Sequence, residues 1–527
     1  MSLTGPQESP AAGPSRRRGR LAGIRRGLSQ PARYAVLLAG ALPVLAFPAP
    51  NVEFLAWFGL VPGLLLLRRA PTGREAAVRG WWFGIGYLLA ALYWLTPNLG
   101  PGLLLVVIVL GAPWAGVGLA AWRLLRAPGP GPGRALAALV VLPSCWVVID
   151  WIRSWQAIGG PWAVYGASQW QHPVVLALAA VGGIWLISFA LVAANAGIAV
   201  LLTAVSIPVR ALGAAGAIAA IVAGPVAFAL TPDPPAIPGA AGQLTLALVQ
   251  PGLARSGATR LATESRLTTG IHGADLVVWG ESSVGYDLYH EPALLDMLRR
   301  LSATTPLLVS QDALNPAGVK SKVAVLIGPG GIEGTYTKTR LVPFGEYIPF
   351  RSMLGWLTSI SKAAPQNMIT GKGARVLHLT LPGGRQLTFG VLICFESSFP
   401  DMSRVDTNHG AEVIIYQTSD STFQGSWAPA QHASLSALRA AETGRPVVQA
   451  ALTGDSAAFD SRGRLLAWAG TSFRGVIPVT ITLPATSART PFDRLGDYVP
   501  WTAITVVVLA VLRVTEGFGF IRRFHRR

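Results

Sequence analysis

Eight long apolar runs divide this sequence, and seven of them come before residue 232. They cover residues 34–49, 53–68, 79–97, 102–125, 135–152, 174–204, 210–231 and 499–517. A helix needs about 20 mainly apolar residues to cross a bilayer, so the first two runs are short and the sixth is long enough to tilt or bend. The pattern predicts an α-helical transmembrane bundle of about eight helices.

The composition of the chain agrees with a membrane protein. The sequence is 51% hydrophobic and only 13% charged, whereas about a quarter of the residues in a typical soluble domain are charged. Its net charge of +18 would suit nucleic-acid binding, but the arginines cluster at the two ends and in short loops between apolar runs. This placement is typical of residues that orient a membrane protein, so we expect no nucleic-acid partner.

The loop charges predict the orientation of the chain in the cell (inner or plasma) membrane. If the basic N-terminus is cytoplasmic, the loops after the second, fourth and sixth runs are cytoplasmic too. Those loops carry Arg68, Arg69, Arg74 and Arg79, then Arg123, Arg126 and Arg134, then Arg210. Eight spans place both termini in the cytoplasm and the region before the last span outside it. A competing interpretation, a cleaved signal peptide at the first run, would break this parity.

Four segments follow from these patterns. Residues 1–33, rich in Pro, Gly, Ser and Arg, are expected to be a disordered basic cytoplasmic tail. Residues 34–231 form the first seven transmembrane helices, residues 232–490 an extracytoplasmic catalytic domain, and residues 491–527 the last helix and a basic tail. In the third segment, short β-rich runs alternate with helical stretches, which predicts a layered α/β domain. The predicted strands are 244–250, 275–279, 307–310, 323–328, 387–394, 412–416, 447–451 and 476–481.

Two aromatic stretches allow two interpretations each. Residues 154–173, rich in Trp and Tyr, suit an interfacial aromatic belt, or alternatively the floor of a lipid site. The second stretch could be a lid that faces the bilayer or a buried helix of the domain. Its apolar residues are Phe350, Met353, Leu354, Trp356, Leu357 and Ile360.

Three residues expected at strand ends, Glu281, Lys338 and Cys394, suggest chemistry. A thiol with a pKa of about 8.5 is a poor nucleophile until a base takes its proton. Glu281 can serve as that general base, best with its pKa raised by an apolar pocket, and the Lys338 ammonium can favour the thiolate and an oxyanion. Each residue alone also suits a structural role, as a packed thiol, a helix cap or a solvated lysine.

These residues and their flanks resemble the nitrilase superfamily of carbon–nitrogen hydrolases, and most closely its membrane branch, the apolipoprotein N-acyltransferase family. The resemblance covers nearly all of the chain after the tail, and the segment from Gln431-His432 to Arg445-Pro446 shares it. It implies a four-layer αββα sandwich inserted before the last of eight transmembrane helices. The motifs are Val278-Trp279-Gly280-Glu281-Ser282, Lys338 followed by Leu341-Val342-Pro343-Phe344-Gly345-Glu346, and Ile393-Cys394-Phe395-Glu396.

The resemblance also implies an activity. It predicts transfer of an acyl chain from a phospholipid to the N-terminal amine of the diacylglyceryl-cysteine of an apolipoprotein, the last step of lipoprotein maturation. It makes Glu281 the base, Lys338 the electrostatic stabiliser and Cys394 the nucleophile that carries a thioester. It implies supporting roles for Glu346, Phe395 and Glu396, with Glu346 orienting the lysine and the Phe395 N–H donating to the oxyanion.

Two other functions remain open at this level. The same residues would serve a membrane-tethered nitrilase-like amidase that hydrolyses a soluble C–N bond, although a tether needs only one span. A transporter or assembly scaffold without enzymatic activity is the second alternative, and broken helices with ionisable groups at mid-membrane would favour it. We expect no cofactor and no metal, since the sequence contains no motif for either.

Overall fold

The computed structural model describes residues 31–254, 256–359 and 364–524. Residues 1–30 of the predicted tail and Ile360 of the predicted lid therefore lie outside the described part. Residues 31–33, which the sequence assigns to the tail, form the start of the first helix instead.

The N-terminal half of the described chain is helical. Short 3₁₀ turns at 42–46, 53–57, 93–95, 156–158 and 165–169 connect several of its helices. The helices are α1 (Pro31–Ala41), α2 (Val61–Arg68), α3 (Gly73–Ala91), α4 (Thr96–Leu99), α5 (Gly102–Gly111), α6 (Trp114–Leu125), α7 (Pro132–Arg153), α8 (Pro173–Thr203) and α9 (Ile207–Leu230).

The number of helices that can cross a membrane is lower than predicted. Among the described residues, α7, α8 and α9 are long and apolar enough, and α5 with α6 makes a fourth if this pair, bent by 41°, counts as one span. The prediction of about eight is therefore too high. The other apolar runs form shorter or interrupted helices, and the first turns of α3 carry Arg74, Glu75 and Arg79. Apolar composition shows which residues are excluded from water, but not how far a helix continues.

The C-terminal half contains two six-stranded mixed sheets. The orders are β12-β1-β2-β3-β4-β5 and β11-β10-β9-β8-β7-β6. In the middle of each sheet three strands run parallel, and antiparallel strands flank them. The strands are β1 (Gln243–Gln250), β2 (Leu276–Trp279), β3 (Leu307–Leu314), β4 (Lys320–Gly328), β5 (Gly331–Thr337), β6 (Val376–Thr380), β7 (Gln386–Ile393), β8 (Val413–Thr418), β9 (Val447–Ala451), β10 (Ser456–Phe459), β11 (Leu465–Ala469) and β12 (Gly475–Thr482).

Helices cover the outer faces of the two sheets. α10 and α11 contact the first sheet, α13 and α14 contact the second, and the sheets contact each other through β1 and β2 with β9 and through β4 with β7. Strands β2, β8 and β9 are buried along their whole length. The helices are α10 (Gly257–Thr269), α11 (Pro292–Leu301), α12 (Arg351–Leu354), α13 (Pro400–Asn408), α14 (Ala428–Thr443), α15 (Pro491–Leu495) and α16 (Tyr498–Phe524).

The α/β domain contacts the helical half at a break in α8. Gly182 and Gly183 leave helical geometry there, and Gly183 has a φ of +70° that favours glycine. The break frees the N–H of Ile184, which donates to Glu442 Oε1 of α14 over 2.8 Å. A side chain of the α/β domain therefore satisfies a backbone donor that the interrupted helix exposes.

The composition of the loop after α7, residues 154–173, favoured an exposed aromatic belt, but most of its tryptophans are packed inside the molecule. Trp162 is 5.2 Å from the Trp94 ring and 5.5 Å from the His432 ring, measured between centroids. Trp170 lies 4.9 Å from Trp468, and only Trp155 of these tryptophans stays exposed. The rings are covered because the α/β domain packs directly on this loop.

Candidate active site

The ends of three strands from two sheets meet at one point. Glu281 comes two residues after β2, Lys338 directly follows β5, and Cys394 directly follows β7. Lys338 Nζ donates to Glu281 Oε1 over 3.1 Å, and both side chains are almost completely buried. The half-buried Cys394 interacts electrostatically with both. The structure therefore brings the three predicted residues together.

A glycine makes this meeting of the two sheets possible. A Cβ on Gly280 would lie 2.0 Å from the backbone nitrogen of Leu452, at the end of β9. The N–H groups of Glu281 and Leu452 both donate to the carbonyl of Thr418, over 3.1 and 2.9 Å. Because residue 280 has no side chain, the first sheet approaches the second closely enough to place Glu281 near Cys394.

Both sheets present a non-glycine residue in left-handed conformation at this edge. Cys394 has a φ of +53° and Ser282 a φ of +56°. Such a conformation costs about 1–3 kcal/mol and persists only where surrounding contacts hold it. The segment Cys394–Ser398, here called the nucleophile turn, leaves the strand as a 3₁₀ turn.

Glu396 supplies contacts that hold the nucleophile turn. Its Oε1 accepts from Tyr336 OH at 2.7 Å and from the N–H groups of Thr339 and Arg340 at 2.6 and 2.9 Å. Its Oε2 accepts from the N–H of Ile393 at 2.7 Å. The carboxylate thus connects the chain beside Lys338 with the chain beside Cys394. Burial raises its pKa, and these four hydrogen bonds act in the opposite direction.

Lys338 is held between two carboxylates. Besides Glu281, its ammonium donates to Glu346 Oε1 over 2.8 Å. The other oxygen of Glu346 accepts from the N–H of Val342, which fixes that carboxylate in the loop. Although burial lowers the pKa of Lys338, its interactions with Glu281 and Glu346 raise it well above its ordinary value.

A second lysine, Lys322 of β4, belongs to the site and was not predicted. Its Nζ lies 3.6 Å from Glu281 Oε1, 2.5 Å from Ser282 Oγ and 3.2 Å from Asp312 Oδ1. In the sequence it resembles Lys320, its exposed neighbour on the same strand. Strand pairing places Lys322, and not Lys320, beside Glu281. The local sequence around Lys322 therefore gives no sign that it belongs to the site.

The charges of the site differ from the sequence expectation for Glu281. Burial disfavours its charged form, but the ammonium groups of Lys338 and Lys322 outweigh burial and hold the pKa of Glu281 below its usual range. The sequence argument favoured a raised pKa in an apolar pocket and did not include the second lysine. Burial raises the pKa of the Cys394 thiol, Glu281 adds to the rise, and Lys338 opposes it. These directions favour a protonated thiol at Cys394 and an ionised carboxylate at Glu281 beside the two ammonium groups.

His432 of α14 also contacts the nucleophile turn. Its Nε2 lies 2.9 Å from Ser397 Oγ and 3.2 Å from the carbonyl oxygen of Cys394. Its Nδ1 is 3.0 Å from Asp420 Oδ1, and the ring is buried. The family resemblance pointed to this segment without giving the histidine a role, and Asp420 was not predicted.

The side chain of Phe395 faces the helical half of the molecule. Its ring lies 4.8 Å from the Phe399 ring, and a Cβ on Gly160 would come within 2.5 Å of it. A side chain packed in this way holds the turn against the loop after α7. The predicted oxyanion contact of Phe395 concerns only its backbone N–H.

A cavity of about 350 Å³ lies on another side of the nucleophile turn, between the end of α7 and the start of α13. Arg340 and Asp497 are in its wall, whereas Glu281, Lys338 and Cys394 are not. Within the described ranges, no group of three or more His, Cys, Asp or Glu side chains is placed to hold a metal ion.

The site and the two sheets define a carbon–nitrogen hydrolase-type domain carried by apolar helices, and the comparisons agree. Residues 245–489 match the family model "Carbon-nitrogen hydrolase", and residues 39–197 match "Apolipoprotein N-acyltransferase N-terminal domain". A solved carbon-nitrogen hydrolase from Helicobacter pylori aligns with 46% of this chain and 89% of its own, at 17% identity and a TM-score of 0.36.

Curated relatives extend the match to nearly the full chain. The apolipoprotein N-acyltransferase of Sinorhizobium medicae is 32% identical over 92% of this chain and 96% of its own length. The enzyme of Sinorhizobium fredii is 32% identical over 95% of this chain and 99% of its own length. The enzyme of Geobacter metallireducens is 27% identical over 90% of this chain and 94% of its own length. This chain belongs to the apolipoprotein N-acyltransferase family.

Proposed function

We propose that this enzyme transfers an acyl chain from a phospholipid to the α-amino group of the diacylglyceryl-cysteine of apolipoproteins, with Cys394 as the nucleophile. Family membership supports the reaction class. The observation that supports the residue roles is the ion pair between Lys338 Nζ and Glu281 Oε1, 3.1 Å apart, next to the thiol.

In the first half-reaction, Cys394 attacks the ester carbonyl of the phospholipid. Glu281 takes the thiol proton while the C–S bond forms, which an ionised carboxylate can do. The oxyanion forms near the Lys338 ammonium and the N–H of Phe395, both of which stabilise negative charge. The C–O bond then breaks, and Glu281 returns its proton to the leaving lysophospholipid oxygen. A thioester on Cys394 remains.

In the second half-reaction, the α-amine of the acceptor attacks that thioester. Glu281 takes a proton from the amine as the C–N bond forms, and the C–S bond breaks with the same two groups stabilising the oxyanion. The sulfur receives the proton from Glu281. The product is an amide-linked third acyl chain, and the enzyme returns to its starting state.

The surface next to the site suits lipid substrates. Phe350, Met353 and Trp356 are 68%, 74% and 59% exposed, which does not fit the alternative of a buried helix. Exposed apolar side chains in one segment are typical of a surface that meets a membrane or a ligand. We assign this segment as the lid under which the acyl chain enters.

The same proposal includes the arrangement of the chain in the membrane. Both termini are cytoplasmic, residues 34–231 and the last helix anchor the enzyme, and residues 232–490 form an extracytoplasmic catalytic domain of four αββα layers. The basic loops on one side of the apolar runs support this orientation. Reaction of a membrane-impermeant amine label with Lys320, which is exposed, in intact cells would test it.

Incubation with a radiolabelled phospholipid and a diacylated lipopeptide tests the mechanism. Wild-type enzyme should form a labelled, hydroxylamine-sensitive adduct and then a triacylated peptide, and Cys394→Ala should form neither. Cys145→Ala removes the chain's other thiol, in α7, and should retain both. A labelled adduct that persists in Cys394→Ala would refute the thioester step. Release of the acyl group to water from a soluble amide, without lipid, would favour the amidase.

A further inference from the structure

His432 is a buried ionisable group that contacts the nucleophile turn, and the reaction above gives it no task. The partners of its two ring nitrogens decide its protonation. The Asp420 carboxylate at Nδ1 and the Cys394 carbonyl at Nε2 can only accept hydrogen bonds. Both contacts are therefore attractive only if both nitrogens carry a proton. Ser397, the other partner of Nε2, can act as acceptor as well as donor, so it is compatible with this assignment.

The surroundings of the ring favour the charged form as well. Burial lowers the pKa of His432, but Asp420, the Cys394 carbonyl and Glu281 raise it, and the net direction is upward. The titratable groups that raise the pKa of the ring are thus Asp420 and Glu281. From the helical half the uncharged ring of Trp162 packs against it, with 5.5 Å between the ring centroids.

We propose that His432 is a positioning residue that Asp420 holds as an imidazolium. It fixes the left-handed conformation of Cys394 through the carbonyl and adds a positive charge beside the developing thiolate. This inference rests on the proposed role of Cys394. The charge explains how a half-buried thiol next to the negative Glu281 reaches its reactive form, since a nearby cation favours a thiolate.

Alkylation of Cys394 by iodoacetamide as a function of pH tests the proposal. Full-length enzyme with Cys145→Ala has Cys394 as its only thiol, and mass spectrometry follows the adduct. His432→Gln keeps a hydrogen-bond donor near the carbonyl but removes the charge. We expect the midpoint of the rate–pH profile, which reports the pKa of the Cys394 thiol, to rise by about one pH unit. This shift lowers the alkylation rate at neutral pH about tenfold. Above the pKa of His432 the parent loses the same charge, so the two profiles should converge.

A purely structural role predicts a different result. If His432→Gln changed the rate by the same factor at every pH, or not at all, the proposal would be wrong. Asp420→Asn removes the carboxylate that raises the pKa of His432, so the pH at which the parent loses the imidazolium charge should move to lower values. This variant decides the question if the glutamine variant does not fold. His378→Gln, an exposed histidine on β6, is the matched control and should leave the profile unchanged.

The alkylation profile also separates this inference from the proposed function. If Cys394→Ala still transferred acyl groups, the thioester mechanism would fail, while the profile would still report whether His432 acts on the thiol. If the thioester mechanism holds but the alkylation profiles of the parent and of His432→Gln have the same midpoint, only the role of His432 is refuted.

Discussion

Two buried glutamates lie beside Cys394, and their partners differ. Glu281 is bound by the ammonium groups of Lys338 and Lys322. Glu396 is bound by three backbone N–H groups and the hydroxyl of Tyr336. The pKa of Glu281 is held below its usual range by the two lysines, whereas burial raises the pKa of Glu396.

This difference indicates what each carboxylate can do. A buried carboxylate paired with cations is ionised in the resting enzyme and can accept a proton from a neighbouring thiol. A carboxylate whose lone pairs are occupied by neutral donors of the main chain is a structural link, because moving it would leave those donors unsatisfied. Residue type and burial are the same in both cases, so the neighbours determine the role.

Among the variants that test this difference between the two glutamates, Glu281→Gln should have the largest effect on acyl transfer. The amide cannot accept the thiol proton, so we expect acyl transfer to fall about 10³-fold. The rate of triacyl-lipopeptide formation measures it. Glu333→Gln, at an exposed position on β5, is the control and should be near wild type. A loss of less than tenfold in Glu281→Gln would contradict the assignment of the base.

Glu396→Gln should mainly affect stability. The amide NH₂ replaces one acceptor and faces a buried donor, which should cost about 1–3 kcal/mol. Denaturant unfolding monitored by tryptophan fluorescence measures this loss, and the transfer rate should fall less than in Glu281→Gln. If the variant were as inactive as Glu281→Gln while keeping full stability, Glu396 would take part in the reaction itself.

Lys322→Met should have the smallest effect at neutral pH and a clear effect in acid. Removing one of the two cations that lower the pKa of Glu281 raises that pKa, by about one unit. The base is active only when ionised, so the acidic limb of the pH–rate profile should move to higher pH. Lys320→Met, two residues earlier on the same strand, should leave the limb in place. An unchanged limb in Lys322→Met would show that Lys338 alone sets the charge of Glu281.

Local sequence was sufficient for much of the α/β domain. Every strand that the sequence suggested is present, and Glu281, Lys338 and Cys394 follow strands. The strands β5, β6, β10 and β11 were missed. β5 contains two glycines and a glutamate, and β10 is only four residues long, so neighbouring strands supply the pairing that their own composition does not predict.

The helical half was predicted less well for a physical reason. Hydropathy identifies residues that leave water, and the apolar runs of the sequence do supply the apolar helices of this half. Helix length depends on backbone interruptions such as the Gly182-Gly183 break, and on partners such as Glu442 that stabilise them. The aromatic loop shows the same limit, since its composition does not reveal that a second domain covers it.

The sequence by itself determined that a glutamate, a lysine and a cysteine follow strands in this order, and it determined the apolar runs, because these depend on residue identity and short-range pattern. Only the tertiary structure decided that Lys322 rather than Lys320 faces Glu281, that His432 contacts the cysteine carbonyl, and that Glu396 joins two loops. Those contacts arise between distant segments, and their effect on proton affinity depends on distance and burial.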